Sequence, residues 1–161
     1  GLGDVYKRQA HYHLLLLDRY GFDVNPQWPR LRIDEKRARN ISDLLNRENV
    51  PLTMPLIAIQ PFSLWRYKEW RPEKFRQLVQ WILSVFPVGV LVCGTRSERS
   101  RVKRMIDGIP AGKVFNMAGK TTISQYAALL ARCRLFIGCD SAGVHIASAV
   151  ETQTATIYGP S

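Results

Sequence analysis

Several absences narrow this sequence before any motif in it is read. The phosphate-binding signatures GxxxxGK[ST] and GxGxxG are both missing, which argues against a P-loop enzyme and a redox dinucleotide enzyme. Only 3 cysteines occur, Cys93, Cys133 and Cys139, with neither a CxxC pair nor metal-ligand spacing. They read as reduced, buried thiols of a cytosolic protein, and no metal site is expected from them. No apolar run approaches the length of a membrane span, and there is no internal repeat or low-complexity tract. Acidic residues are scarce, 13 against 23 basic ones, leaving a net charge of +10. Such an excess suits anionic partners: nucleotide phosphates, nucleic acid or an anionic membrane surface. Much of it lies in the runs Glu35 to Arg39 and Arg96 to Arg104, whose spacing suits solvated helix faces. No aromatic residues alternate with these cations, so a stacking platform for nucleic acid is not expected.

What is present is a regular alternation. The first nine residues, with Asp4-Val-Tyr-Lys-Arg-Gln9 resembling a translated sequencing adapter, are set outside the fold. The spacing predicts a helix over 10–20 stopped by Gly21, an extended connector over 25–31, and a helix over 34–48 capped by Asp34. Pro51 and Pro55 then punctuate a linker, so residues 10–55 read as the tail of a preceding domain. From 56 onward, apolar strands are expected at 56–59, 88–93, 114–116, 135–139 and 154–158. Helices between them are announced by Pro72, by the capping boxes Thr95 to Glu98 and Thr122 to Gln125, and by Asp140-Ser141. Strands alternating with helices over short crossovers imply a Rossmann-like α/β fold, a doubly wound parallel sheet covered on both faces.

In such a sheet the first and fourth strands are neighbours, and ligands bind outside their carboxyl ends where the chain reverses. The loop from Gln60 to Pro72 and the loop from Asp140 to His145 are therefore expected to face each other. Ser141, Ala142 and Gly143 read either as an ordinary cap and turn or as a hydroxyl and backbone donors offered to an anion. Asp140 reads either as a cap or as an acceptor of sugar hydroxyls. Lys68 is a solvated lysine or a point charge for a diphosphate. Trp70 is expected to pack its loop onto the domain. His145 is a structural histidine or a ligand contact. Glu98 has a local role in its capping box and also stands where an acidic residue can take ribose hydroxyls.

These residues carry a resemblance. The loop with Lys68-Glu-Trp70-Arg-Pro72, the stretches Gly94 to Glu98 and Ala118-Gly-Lys-Thr-Thr-Ile123, then Asp140-Ser-Ala-Gly-Val-His145 and Tyr158-Gly-Pro-Ser161, resemble glycosyltransferase family 9, the lipopolysaccharide heptosyltransferases. The resemblance covers residues 56 to 161 and implies the C-terminal, donor-binding half of a GT-B enzyme, truncated at its own C-terminus. It implies inverting, metal-independent transfer of heptose from ADP-heptose to the lipopolysaccharide inner core, at the cytoplasmic face of the membrane and without a cofactor. Carried over, Lys68 would hold the pyrophosphate with help from Ser63, Glu98 would take the ribose, and Thr121 would border the base. Asp140, Ser141, Ala142 and Gly143 would bind diphosphate and sugar, with His145 behind them. Two departures leave the donor open: Ala142 replaces a common glycine, and Gln60 stands where histidine is frequent. A donor linked to UDP or GDP, or a non-catalytic nucleotide- or nucleic-acid-binding module, remain alternatives. The catalytic base is expected outside this chain, which alone should bind nucleotide weakly and turn nothing over.

Overall fold

The structure is a computed structural model that describes residues 12–24 and 30–158. It divides into two compact units, Gly1–Arg30 and Leu31–Ser161. In the first, residues 12–19 are helical (α1), and the amides of Gly21 and Phe22 close the helix end on the carbonyls of Asp18 and Leu17. The expected adapter segment, most of the connector over 25–31 and the closing Gly159-Pro160-Ser161 lie outside the described residues.

The second unit begins with α2 (Glu35–Arg47), where Asp34 caps the helix by accepting a 2.7 Å bond from the Arg37 amide. The apolar spacing of Ile41, Leu44 and Leu45 turns one face inward, and these side chains are buried against the sheet that follows. α2, expected in the tail of a preceding domain, thus packs within the same unit as the strands, which begin at Leu56 as expected.

The strands are β1 (Leu56–Gln60), β2 (Gly89–Val92), β3 (Val114–Asn116), β4 (Cys133–Cys139) and β5 (Gln153–Ile157). They form one parallel sheet in the order β3-β2-β1-β4-β5. Chain direction across the sheet therefore reverses between β1 and β4, as the alternation implied. Successive residues of a strand point to opposite faces, and both faces are covered. Leu56, Ala58, Leu91 and Phe136 join the core beneath α2, α5 (Ile123–Ala131) and α6 (Ala142–Ala149). Ile57, Ile59, Val90, Val92 and Ile137 join the core beneath α3 (Pro72–Val85) and α4 (Arg99–Ile106). The helix expected from Thr95 begins as a 3-10 turn over Arg96–Glu98 before continuing as α4. No described helix is long and apolar enough to cross a membrane.

Candidate functional site at the sheet reversal

β1 and β4 pair in register up to Gln60 beside Gly138, and their exit loops diverge from that point. The β1 loop carries a 3-10 turn over Arg66–Lys68 that turns the Lys68 side chain back toward the β4 loop. There Lys68 Nζ donates to Asp140 Oδ2 at 2.8 Å. The side chains are 33% and 22% exposed, so the pair is half-buried and still open to solvent. The two loops expected to face each other from the strand order are thus joined by one charged residue from each.

Beside this pair lies a polar relay that the sequence reading did not anticipate. The Gln60 carboxamide donates to Ser141 Oγ at 3.2 Å and accepts from the Tyr126 hydroxyl at 2.6 Å. Burial pushes the Tyr126 phenol far above its ordinary range, so it remains a donor at any physiological pH. Ser141 occupies the N-cap position of α6 but its hydroxyl makes no cap bond, being turned toward Gln60 instead. Gly143 allows this approach. A Cβ there would stand 2.5 Å from Gln60 Oε1 and 3.0 Å from the Tyr126 oxygen, so only glycine lets the helix start come this close to β1. Ala142 and His145 are exposed on the first turns of α6.

The rest of the rim comes from β2 and β3. Glu98 completes its capping box, its Oε2 accepting from the Thr95 amide at 2.6 Å. Gly119 binds this loop to the next one, its amide donating to the Gly94 carbonyl at 2.9 Å. It adopts φ +71° and a Cβ would meet Arg96 Cα at 2.6 Å, so the two loops touch backbone to backbone. Thr121 follows, half-buried, and shares that rim with Glu98.

Ser63 sits at the start of the β1 loop, its hydroxyl accepting from the Trp65 amide at 3.4 Å. Its own amide donates to Glu69 Oε1 at 3.1 Å. Glu69 is in turn gripped by both guanidinium nitrogens of Arg101, at 3.1 and 2.5 Å, and the same guanidinium lies 3.8 Å over the Phe62 ring. That grip holds the Arg101 charge even more firmly than usual. Trp70 packs edge-on against Phe75 with centroids 5.3 Å apart, the anchoring role expected of it. Glu69, Arg101, Gln60 and Tyr126 escaped the sequence reading as site residues. A polar residue closing the apolar strand Leu56–Ile59 was the available signal for Gln60. Its partner lies 66 positions away, and no spacing rule reaches that far.

Chemically, the reversal offers a lysine cation, the open N-terminal turn of a helix, a carboxylate and a hydroxyl on one rim. A cation and helix amides suit phosphate oxygens, and a carboxylate suits sugar hydroxyls.

The sequence model for glycosyltransferase family 9 (heptosyltransferase) matches residues 8–161. Lipopolysaccharide heptosyltransferase 3 of Escherichia coli strain K12 is 32% identical over 104 residues, covering 64% of this chain and 30% of that protein. Lipopolysaccharide heptosyltransferase 2 of Salmonella typhimurium is 23% identical over 139 residues, covering 83% of this chain and 38% of that protein. Among solved structures, E. coli ADP-heptose lipopolysaccharide heptosyltransferase II superposes with a TM-score of 0.76 at 21% identity, over 87% of this chain and 42% of that one. E. coli heptosyltransferase WaaC with ADP-2-deoxy-2-fluoro heptose superposes with a TM-score of 0.60 at 20% identity, over 84% and 41%. The structural likeness shows the fold, a Rossmann-like half of the GT-B architecture. The chain spans 30% to 38% of the length of these two sequence relatives.

Proposed function

The chain belongs to glycosyltransferase family 9, and from that premise we propose that it forms the donor-binding half of an inverting heptosyltransferase that takes ADP-heptose as donor. The observation that carries this reading is the Lys68–Asp140 pair at the strand reversal, beside the first turn of α6. In it, Lys68 and the α6 amides hold the diphosphate, and Asp140 and Ser141 take hydroxyls of the sugar. Glu98 takes the ribose, Thr121 borders the base, Ser63 supports the phosphate loop, and Ala142, Gly143 and His145 shape the floor.

The reaction asks little covalent chemistry of this half. An acceptor hydroxyl attacks the anomeric carbon as the bond to the diphosphate breaks, and its proton passes to a carboxylate base. That base belongs to the portion of the protein that is not in this sequence. Here the task is to stabilise the charge gathering on the departing diphosphate. Lys68 and the helix N-terminus meet that charge, so the transfer proceeds without a cofactor or a resident metal. The acceptor is a lipopolysaccharide inner core or a related glycan. The net charge of +10 favours peripheral contact with an anionic membrane at its cytoplasmic face.

Calorimetric titration of the complete protein with ADP, UDP and GDP tests the reading. Preferential binding of ADP is expected. A preference for UDP or GDP overturns the donor assignment, and tight oligonucleotide binding that no nucleotide displaces overturns the enzyme reading.

A further inference from the structure

A second concave feature lies away from the strand reversal, between α3 and α4. It is a cleft of about 410 Å³ whose floor and walls include Phe62, Pro72 and Met105. Its polar lining is three guanidinium groups, Arg76, Arg101 and Arg104, against one carboxylate, Glu73. Phe62 and Arg101 also anchor the β1 loop, whereas Pro72, Glu73, Arg76, Arg104 and Met105 take no part in the Lys68–Asp140 site, and the cleft does not depend on the donor assignment.

The three arginines differ in how far their charge is already committed. Arg101 is fixed by Glu69 and stacked on Phe62, so its position is set before any ligand arrives. Arg76 donates from one nitrogen to the Met105 carbonyl at 3.3 Å, a bond that steadies the α4 end and leaves other N–H groups of its fork unspent. Arg104 is exposed and makes no hydrogen bond or ion pair with any described residue. Glu73 likewise pairs with none of the described cations. Pairing Glu73 with an arginine across the cleft would cancel charge locally, yet the structure keeps them apart. Because Glu69 meets the Arg101 charge, Arg76 and Arg104 stand against the single Glu73, and this remaining cationic excess favours an anion with several acceptor oxygens. The apolar walls favour one that carries a hydrocarbon body as well.

We infer that the α3–α4 cleft is a binding site for a phosphate-bearing anion with an apolar portion, held by Arg76, Arg101 and Arg104 and packed on Phe62, Pro72 and Met105. Two sources share this chemistry, a lipid headgroup and a soluble organic phosphate.

The test titrates the 161-residue chain with dihexanoyl phosphatidate and, separately, with inorganic phosphate, following the phosphorus resonance. Arg104→Glu is the diagnostic variant: Arg104 makes no bond with any described residue, so its replacement is expected to leave the fold intact, which circular dichroism checks. Arg76→Gln is the second variant, and Lys68→Ala reports on the strand-reversal site. Arg104→Glu is expected to weaken phosphatidate binding about tenfold or more, the size of one lost charged hydrogen bond, while Lys68→Ala leaves it unchanged. Selective binding of phosphatidate supports a lipid headgroup as the occupant. Equal Arg104-dependent binding of inorganic phosphate shows that the apolar walls add nothing and overturns the apolar part of the inference. Failure of both probes to bind overturns the inference, as does affinity that Arg104→Glu leaves unchanged or that Lys68→Ala reduces equally.

Discussion

Lys68 and Asp140 are 72 positions apart in the chain, and their side chains meet at 2.8 Å across the strand reversal. The pair brings opposite charges together at the rim of the reversal. In the proposed reading, a diphosphate reaching Lys68 would compete with the carboxylate already there, and a sugar hydroxyl would take Asp140 once the lysine turns to phosphate.

Lys68→Ala is expected to weaken ADP binding by about 1.5–3 kcal/mol, the range for a lost charged hydrogen bond. The result should fall toward the upper value, since Asp140 would then face the diphosphate without its cation. Calorimetry on the folded variant measures this, and unchanged affinity would remove Lys68 from the site.

Gly143→Ala tests the relay beneath the pair. The added methyl meets Gln60 Oε1 at 2.5 Å and Phe136 Cζ at 2.9 Å, so the helix start must retreat from β1 or Gln60 must leave Tyr126. Overpacking of this kind costs about 1–3 kcal/mol of stability, readable by urea denaturation. A variant as stable as the parent would show that the helix start shifts freely.

Arg101→Ala should loosen the β1 loop without touching the reversal directly. The Glu69 side chain is 7% exposed, and the substitution leaves its carboxylate buried with only the Ser63 amide, at 3.1 Å, as a hydrogen-bond partner among the described residues. The loss is about 2–4 kcal/mol, smaller than for a fully buried pair because Arg101 itself is partly exposed. Amide exchange over residues 63–71 should accelerate more than exchange in the strands, and equal acceleration everywhere would contradict a local anchor.

Alkaline pH should destabilise the fold. Burial lifts the Cys133 thiol from its ordinary value of 9.0 to about 12, and burial raises Cys93 and Cys139 as well. These groups ionise more readily in the unfolded chain. Their stabilising contribution is therefore complete below the unfolded value and is lost as pH climbs from 9.0 toward the folded value of about 12. Denaturant midpoints measured on either side of pH 9.0 should fall on the alkaline side, and a flat profile would count against burial of the thiols.

The sequence by itself determined the elements, the parallel doubly wound sheet and the meeting of two loops at its reversal. Those follow from short-range rules: apolar runs of strand length, the Thr95 and Thr122 capping boxes, Pro72 at a helix start, and the right-handed crossover that orders the strands. It also marked Asp140, a charge directly after an apolar strand, and Lys68, a cation in the loop that the strand order sets opposite. Tertiary structure alone decided the rest. The packing of α2 against the sheet was hidden because an amphipathic face does not state which core it will cover. The Gln60–Tyr126 relay and the Glu69–Arg101 clamp join residues 66 and 32 positions apart, so each is fixed only when helices and strands have been brought together. Even Ser141, readable as a cap, spends its hydroxyl on Gln60, because the fold offers it a side-chain partner that its local sequence does not contain.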